Sequence, residues 1–106
     1  MISERFLMSL GYSVTSRFPH LIVYQRAYEI GGKWSHSTVD YAKWEDVWRW
    51  KVEIHGESGS KPGEVRSVRL YDPTEAEFLA GCELMRVPMS RWIVDKRGGR
   101  VLAPNE

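Results

Sequence analysis

The most regular hydrophobic pattern in the chain lies at residues 47–55, where Trp48, Trp50, Val52 and Ile54 alternate with Arg49, Lys51, Glu53 and His55. A period of two sends successive side chains to opposite faces, so this segment predicts a strand with one face on a core and one in water. Residues 12–18 repeat the pattern: Tyr12, Val14 and Phe18 alternate with Ser13, Thr15 and Arg17, and Pro19 closes the run. Residues 21–30 are rich in β-branched and aromatic side chains and predict a second strand. Gly31-Gly32 then offers the left-handed freedom that a tight hairpin needs. Residues 34–39 predict the returning strand, with Ser and Thr on its wetter positions. Residues 41–46 have no clean period and read as a loop or a single helical turn. Residues 56–63 read as a hairpin loop of Gly, Ser and Pro, after which residues 64–71 return as a strand.

Two segments change to helical spacing. Ile2, Phe6, Leu7 and Leu10 fall on one side of a short helix over residues 3–10, and Gly11 supplies its stop. The second helix has a start signal at Asp72-Pro73-Thr74-Glu75: Asp72 as cap, Pro73 at the first helical position, Glu75 completing a capping box. Thr74 with Glu77 is the alternative box. Ala76, Leu79, Ala80 and Glu83 form one stripe of this helix, and Phe78, Cys82 and Met85 its neighbour. Its end falls near Met85, ahead of Pro88. Residues 91–95 and 100–103, joined by Lys96-Arg97-Gly98-Gly99, predict a terminal hairpin. The whole order predicts a single α+β domain over residues 1–106. Its antiparallel sheet of four to five strands is packed by one long helix in the C-terminal half and a short N-terminal helix, with a terminal β-hairpin.

Composition narrows the function classes. Five Trp, five Tyr and three Phe in 106 residues exclude disorder as the dominant state. A net charge of +1 gives no long-range field that would dictate a polyanionic partner. With one cysteine, Cys82, no intrachain disulfide forms. Residues 1–11 lack the basic start and apolar centre of a signal peptide, and the apolar runs are far shorter than a membrane span. The expectation is a cytoplasmic domain with no membrane partner.

Candidate chemistry is sparse. His20, His36 and His55 stand 16 and 19 residues apart, which is no local metal-ligand spacing. Cys82 on an apolar helix stripe reads as a small buried hydrophobe, and no Gly-x-Ser-x-Gly elbow is present. Glu45-Asp46 is a candidate acid–base pair in an aromatic stretch, whereas Glu75 and Glu77 suit the first turn of a helix. Gly31-Gly32 and Gly98-Gly99 lie between strands and not ahead of a helix, so they are turns and not phosphate loops. No catalytic residue, metal or cofactor is assigned, and a non-enzymatic chain is expected.

Two partner classes remain. Nucleic acid is the alternative, using the basic C-terminal hairpin with Arg91, Lys96, Arg97 and Arg100. The helix–strands–helix order resembles a double-stranded-RNA-binding domain, which would imply RNA binding. The second helix departs from that family: it begins Asp72-Pro73-Thr74-Glu75-Ala76-Glu77 where the family places lysines. The preferred partner is a protein, met by a patch of Trp34, Tyr41, Trp44, Glu45 and Asp46, because Trp and Tyr suit interface centres. The function expected is a small protein-binding module, regulatory or inhibitory. Its single-domain, cofactor-free, motif-poor make-up is similar in style to that of phage-type inhibitors of host defence complexes, such as anti-CRISPR proteins.

Overall fold

The computed structural model describes residues 1–30, 32–57, 65–88, 92–94 and 100–102. The turn at Gly31, the loop expected at 56–63 apart from Gly56 and Glu57, which belong to the fourth strand, and the turn at 96–99 lie outside these residues. Five strands form one antiparallel sheet in simple sequential order: β1 (Ser13–Phe18), β2 (Leu21–Ile30), β3 (Lys33–Trp44), β4 (Val47–Glu57) and β5 (Val65–Tyr71). Helices α1 (Glu4–Ser9) and α2 (Glu75–Leu84) complete the α+β fold. A separate antiparallel pair, β6 (Trp92–Val94) and β7 (Arg100–Leu102), forms the terminal hairpin.

The core lies on one face of the sheet. Tyr24 and Tyr28 of β2, Ser37 and Val39 of β3, and Trp50, Val52 and Ile54 of β4 are buried there. Ile2, Phe6, Leu7 and Leu10 pack into the same cluster, as do Phe78, Cys82 and Met85 of α2. Phe78 meets the edge of the Phe6 ring, with centroids 5.5 Å apart, and Tyr12 lies 5.8 Å away on another side. This contact joins the two helices, and both sit over the sheet as the alternation in β4 requires. Ser3 caps α1 by accepting the Phe6 N–H at 3.1 Å. Glu4 ties that helix to the sheet: it accepts from the Tyr24 hydroxyl at 2.5 Å and pairs with Arg17 at 2.9 Å. Gly56 lets β4 approach the end of α2, since a Cβ there would fall 2.1 Å from the Met85 carbonyl oxygen.

Two sequence readings are corrected. Residues 41–44 are neither loop nor helical turn but the last residues of β3, in register with Val47–Trp50 of β4. Their period was hidden because polarity is inverted there: half-buried Lys43 points to the covered side and exposed Trp44 to the open side. The second correction concerns the start of α2, whose cap is Thr74 and not Asp72. Thr74 Oγ1 accepts the Glu77 N–H at 3.1 Å, and Glu77 Oε1 accepts the Thr74 N–H at 3.0 Å. Asp72 has φ 45°, a left-handed conformation outside the helix. Its carboxylate accepts the Trp50 N–H at 2.9 Å and pairs with Arg49 at 2.7 Å. An Asp before a Pro looks like a cap; here the cross-strand partners claimed it first.

Candidate interaction face

The second face of the sheet carries no helix among the described residues. Alternation assigns it Phe18 from β1; Leu21, Val23, Gln25, Ala27 and Glu29 from β2; and Trp34, His36, Thr38, Asp40, Ala42 and Trp44 from β3. Val47, Arg49, Lys51, Glu53 and His55 of β4 follow, with Ser67, Arg69 and Tyr71 of β5. Five large hydrophobic side chains stand exposed on this face: Phe18, Trp34, Trp44, Val47 and Tyr71.

These side chains are not spread evenly. The β1–β2 turn and the β3–β4 turn lie side by side at one end of the sheet, linked by the Lys43 N–H donating to the His20 carbonyl at 2.9 Å. Phe18 pairs with Leu21, Leu21 with Ala42, and Trp44 with Val47, so this end presents a contiguous apolar strip. Trp44 is 73% exposed and Val47 58%, far above what a ring packed for stability shows. Glu45 and Asp46 form the tip between them, at φ 49° and 64°. Two successive left-handed residues make the tight hairpin turn that matches strand twist, a conformation that Asn-Gly adopts with less strain. Lys43 reaches Asp46 at 3.7 Å. His20, Lys43, Glu45 and Asp46 line an open depression of about 250 Å³, smaller than typical ligand cavities of about 300–1,000 Å³.

Charges on the open face are balanced locally. Arg49 pairs with Asp72, and Arg69 lies 3.4 Å from Glu53. Asp40 faces Lys51 across the β3–β4 register. Partial burial raises the Asp40 carboxyl pKa above its ordinary value, with Lys51 pulling it down and Glu53 adding to the rise. Asp40 is accordingly half-buried, while Lys51 beside it is exposed.

The residues expected to form one patch are divided by the structure. Trp44, Glu45 and Asp46 meet at the β3–β4 turn. Tyr41 sits three residues before Trp44, hence on the opposite side of β3, where its ring stacks on Trp50 at 4.2 Å and Trp48 at 4.9 Å. Trp34 is 76% exposed on the open face, but it lies ten residue steps along the strand from Trp44, about 33 Å at strand spacing. Sequence reasoning missed Phe18 and Val47. The signal available was that each flanks a two-residue turn whose partner strand also carries an apolar residue.

The other candidates are placed as follows. Arg91, Lys96 and Arg97 lie outside the described residues, and Arg100 is described through its strand backbone. Cys82 is buried, and burial pushes its thiol pKa up to about 11, away from the reactive thiolate range. Among the described residues, no group of three or more His, Cys, Asp or Glu is placed to hold a metal ion, and no helix is long and apolar enough to cross a membrane. No family model, curated protein or solved structure matches the chain.

Proposed function

We propose that the chain is a non-enzymatic protein-binding module, regulatory or inhibitory, that meets its partner with the open face at the Phe18, Trp44 and Val47 end. The supporting observation is the gathering of exposed apolar side chains beside two hairpin turns, in a sheet whose other face is already covered. An apolar centre within a polar rim is the anatomy of a binding interface. Here the rim consists of Glu45, Asp46 and the Arg49–Asp72 pair. A further observation is the left-handed pair Glu45-Asp46. Backbone strain held by two acids at the tip, where Asn-Gly would relax it, fits a surface kept for recognition.

The test is capture from native-host lysate by immobilised wild type, Trp44→Ala and Phe18→Ser, each with and without nuclease. A protein retained by wild type after nuclease, and lost by both variants at unchanged melting temperature, supports the reading. Equal capture by all three chains overturns it, and loss on nuclease treatment turns attention to nucleic acid. The phage-type inhibitor form of the proposal adds one requirement. Where the captured partner is a host defence complex, wild type lowers its activity and Trp44→Ala restores it.

A further inference from the structure

Independently of the apolar strip, the other end of the open face holds a pair of histidines that β-sheet register brings together. One step beyond the Ser37–Ile54 pair, His36 of β3 and His55 of β4 lie side by side, with ring centroids 5.1 Å apart and planes inclined at 33°. Two imidazoles bound to one tetrahedral ion through bonds of about 2.0–2.1 Å also place their centroids about 5 Å apart. The spacing of the pair therefore already matches that of a chelate.

The second observation is the partner of His55. Its Nε2 lies 2.8 Å from Glu53 Oε1, and Glu53 Oε2 lies 3.4 Å from Arg69 Nε. A carboxylate only accepts, so Nε2 carries the proton and, in the neutral ring, Nδ1 keeps its lone pair. A ring N–H held by a carboxylate is the usual arrangement behind a metal-bound histidine; it fixes the tautomer and raises the basicity of the other nitrogen. The third observation is room. Ala27 flanks His36 on β2 and Ser67 flanks His55 on β5, so the row reads Ala, His, His, Ser. Small neighbours on both sides put no bulky side chain beside the two rings within this row.

From these features the geometry points to a divalent transition-metal site made by His36 and His55, with Glu53 as the positioning residue behind His55. Imidazole ligands select zinc, nickel or copper over magnesium and calcium. Two protein ligands leave the remaining positions to water, so the site is open and exchangeable. It spans the β3–β4 pairing, and a bound ion cross-links these strands on the uncovered side.

The experiment titrates zinc chloride into the full chain and follows the three histidine Cε1–Hε1 resonances by NMR. The expected result is saturable movement of the His36 and His55 signals at one ion per chain, with His20 unmoved and calcium without effect. His20 is a fitting internal control, since it lies at the opposite end of the sheet. Glu53→Gln weakens zinc binding by about tenfold, the usual cost of losing the group behind a ligand, and His36→Ala weakens it further. Movement of all three histidines alike, or of none, overturns the proposal. So does zinc binding left unchanged by His36→Ala. The wild-type titration decides the matter even where a variant folds poorly.

Discussion

The two faces of the sheet are made by the same five strands, yet they obey different rules. On the covered face, burial sets the residue types: Tyr24, Val39, Trp50, Val52 and Ile54 are apolar because water is excluded there. On the open face polar residues of opposite charge stand opposite one another, Asp40 facing Lys51 in register and Arg69 paired with Glu53, as a solvated sheet surface should. Phe18, Trp44 and Val47 break that rule at one end. Scattered exposed hydrophobics need no explanation, but a contiguous group beside two turns does. The difference teaches that the same amino acid carries opposite information on the two faces. Trp50 reports the fold, whereas Trp44, which the fold leaves exposed, is the residue on which the proposed interaction rests.

The largest expected effect tests the assignment of faces. Val52 is fully buried in the core cluster to which both helices contribute, so Val52→Asp places an unpaired carboxylate in the core and is expected to unfold the domain. Lys51, its neighbour in sequence, points the other way, and Lys51→Gln changes stability by about 0.5 kcal/mol or less. Circular dichroism melts check both. Equal tolerance of the two substitutions would break the comparison at its base.

Next comes the contrast between tryptophans. Trp50→Ala removes a buried ring that stacks on Tyr41 and packs against Tyr24, and is expected to cost about 3–5 kcal/mol. Trp44→Ala removes an exposed ring and is expected to shift stability by less than about 1 kcal/mol. Urea denaturation of the two variants measures the gap. A large loss from Trp44→Ala would make it a structural residue and withdraw the main support for the binding strip.

A smaller effect sits at the boundary of the two faces. Asp72 holds one residue from each, the Arg49 guanidinium and the Trp50 N–H. The backbone bond from Trp50, followed by Arg49, lowers the Asp72 carboxyl pKa below its ordinary value. A folded-state value below the unfolded one means its stabilisation is fully present above the unfolded carboxylate range, near pH 4. That stabilisation is lost as pH falls through the folded value. Asn tolerates the left-handed backbone, so Asp72→Asn isolates the charge and is expected to cost about 1–2 kcal/mol at pH 7. Melting temperatures from pH 3 to 7 should converge for wild type and variant toward the acid end. Parallel curves would show that the charge contributes nothing.

The legibility of the sequence follows the same division. Where one face is buried, alternation identifies a strand, and β2, β4 and the two-helix arrangement were readable from Tyr24, Trp50, Val52 and Phe78. At the end of β3 the apolar Trp44 points outward and the charged Lys43 inward, so the period cancels and the segment looked irregular. The aromatic composition still marks this region, and it points to Trp44 and the adjacent acids Glu45 and Asp46. Tyr41 could not be separated from Trp44 without knowing that both lie on one strand, three residues and hence one face apart. Asp72 failed for a different reason: its partners, Arg49 and Trp50, lie more than twenty residues away, and no local motif encodes them.

The finest test changes the tip of the open face without touching the core. Glu45 and Asp46 hold left-handed backbone conformations that disfavour most L-residues. Replacing them with Asn and Gly supplies the pair this turn prefers. Relief of strain is partly offset by the greater freedom of glycine in the unfolded chain. The double substitution Glu45→Asn with Asp46→Gly is therefore expected to stabilise the domain by about 1 kcal/mol. It also removes both acids from the rim of the strip, so capture of a protein partner should weaken while the melting temperature rises. Opposite movement of stability and binding is the outcome a recognition tip requires, because the residues present are not the ones folding alone would choose. A variant more stable and equally competent in capture would leave Trp44, Phe18 and Val47 as the whole of the binding surface. Lower stability would mean that the Lys43–Asp46 contact at 3.7 Å outweighs the strain of the turn.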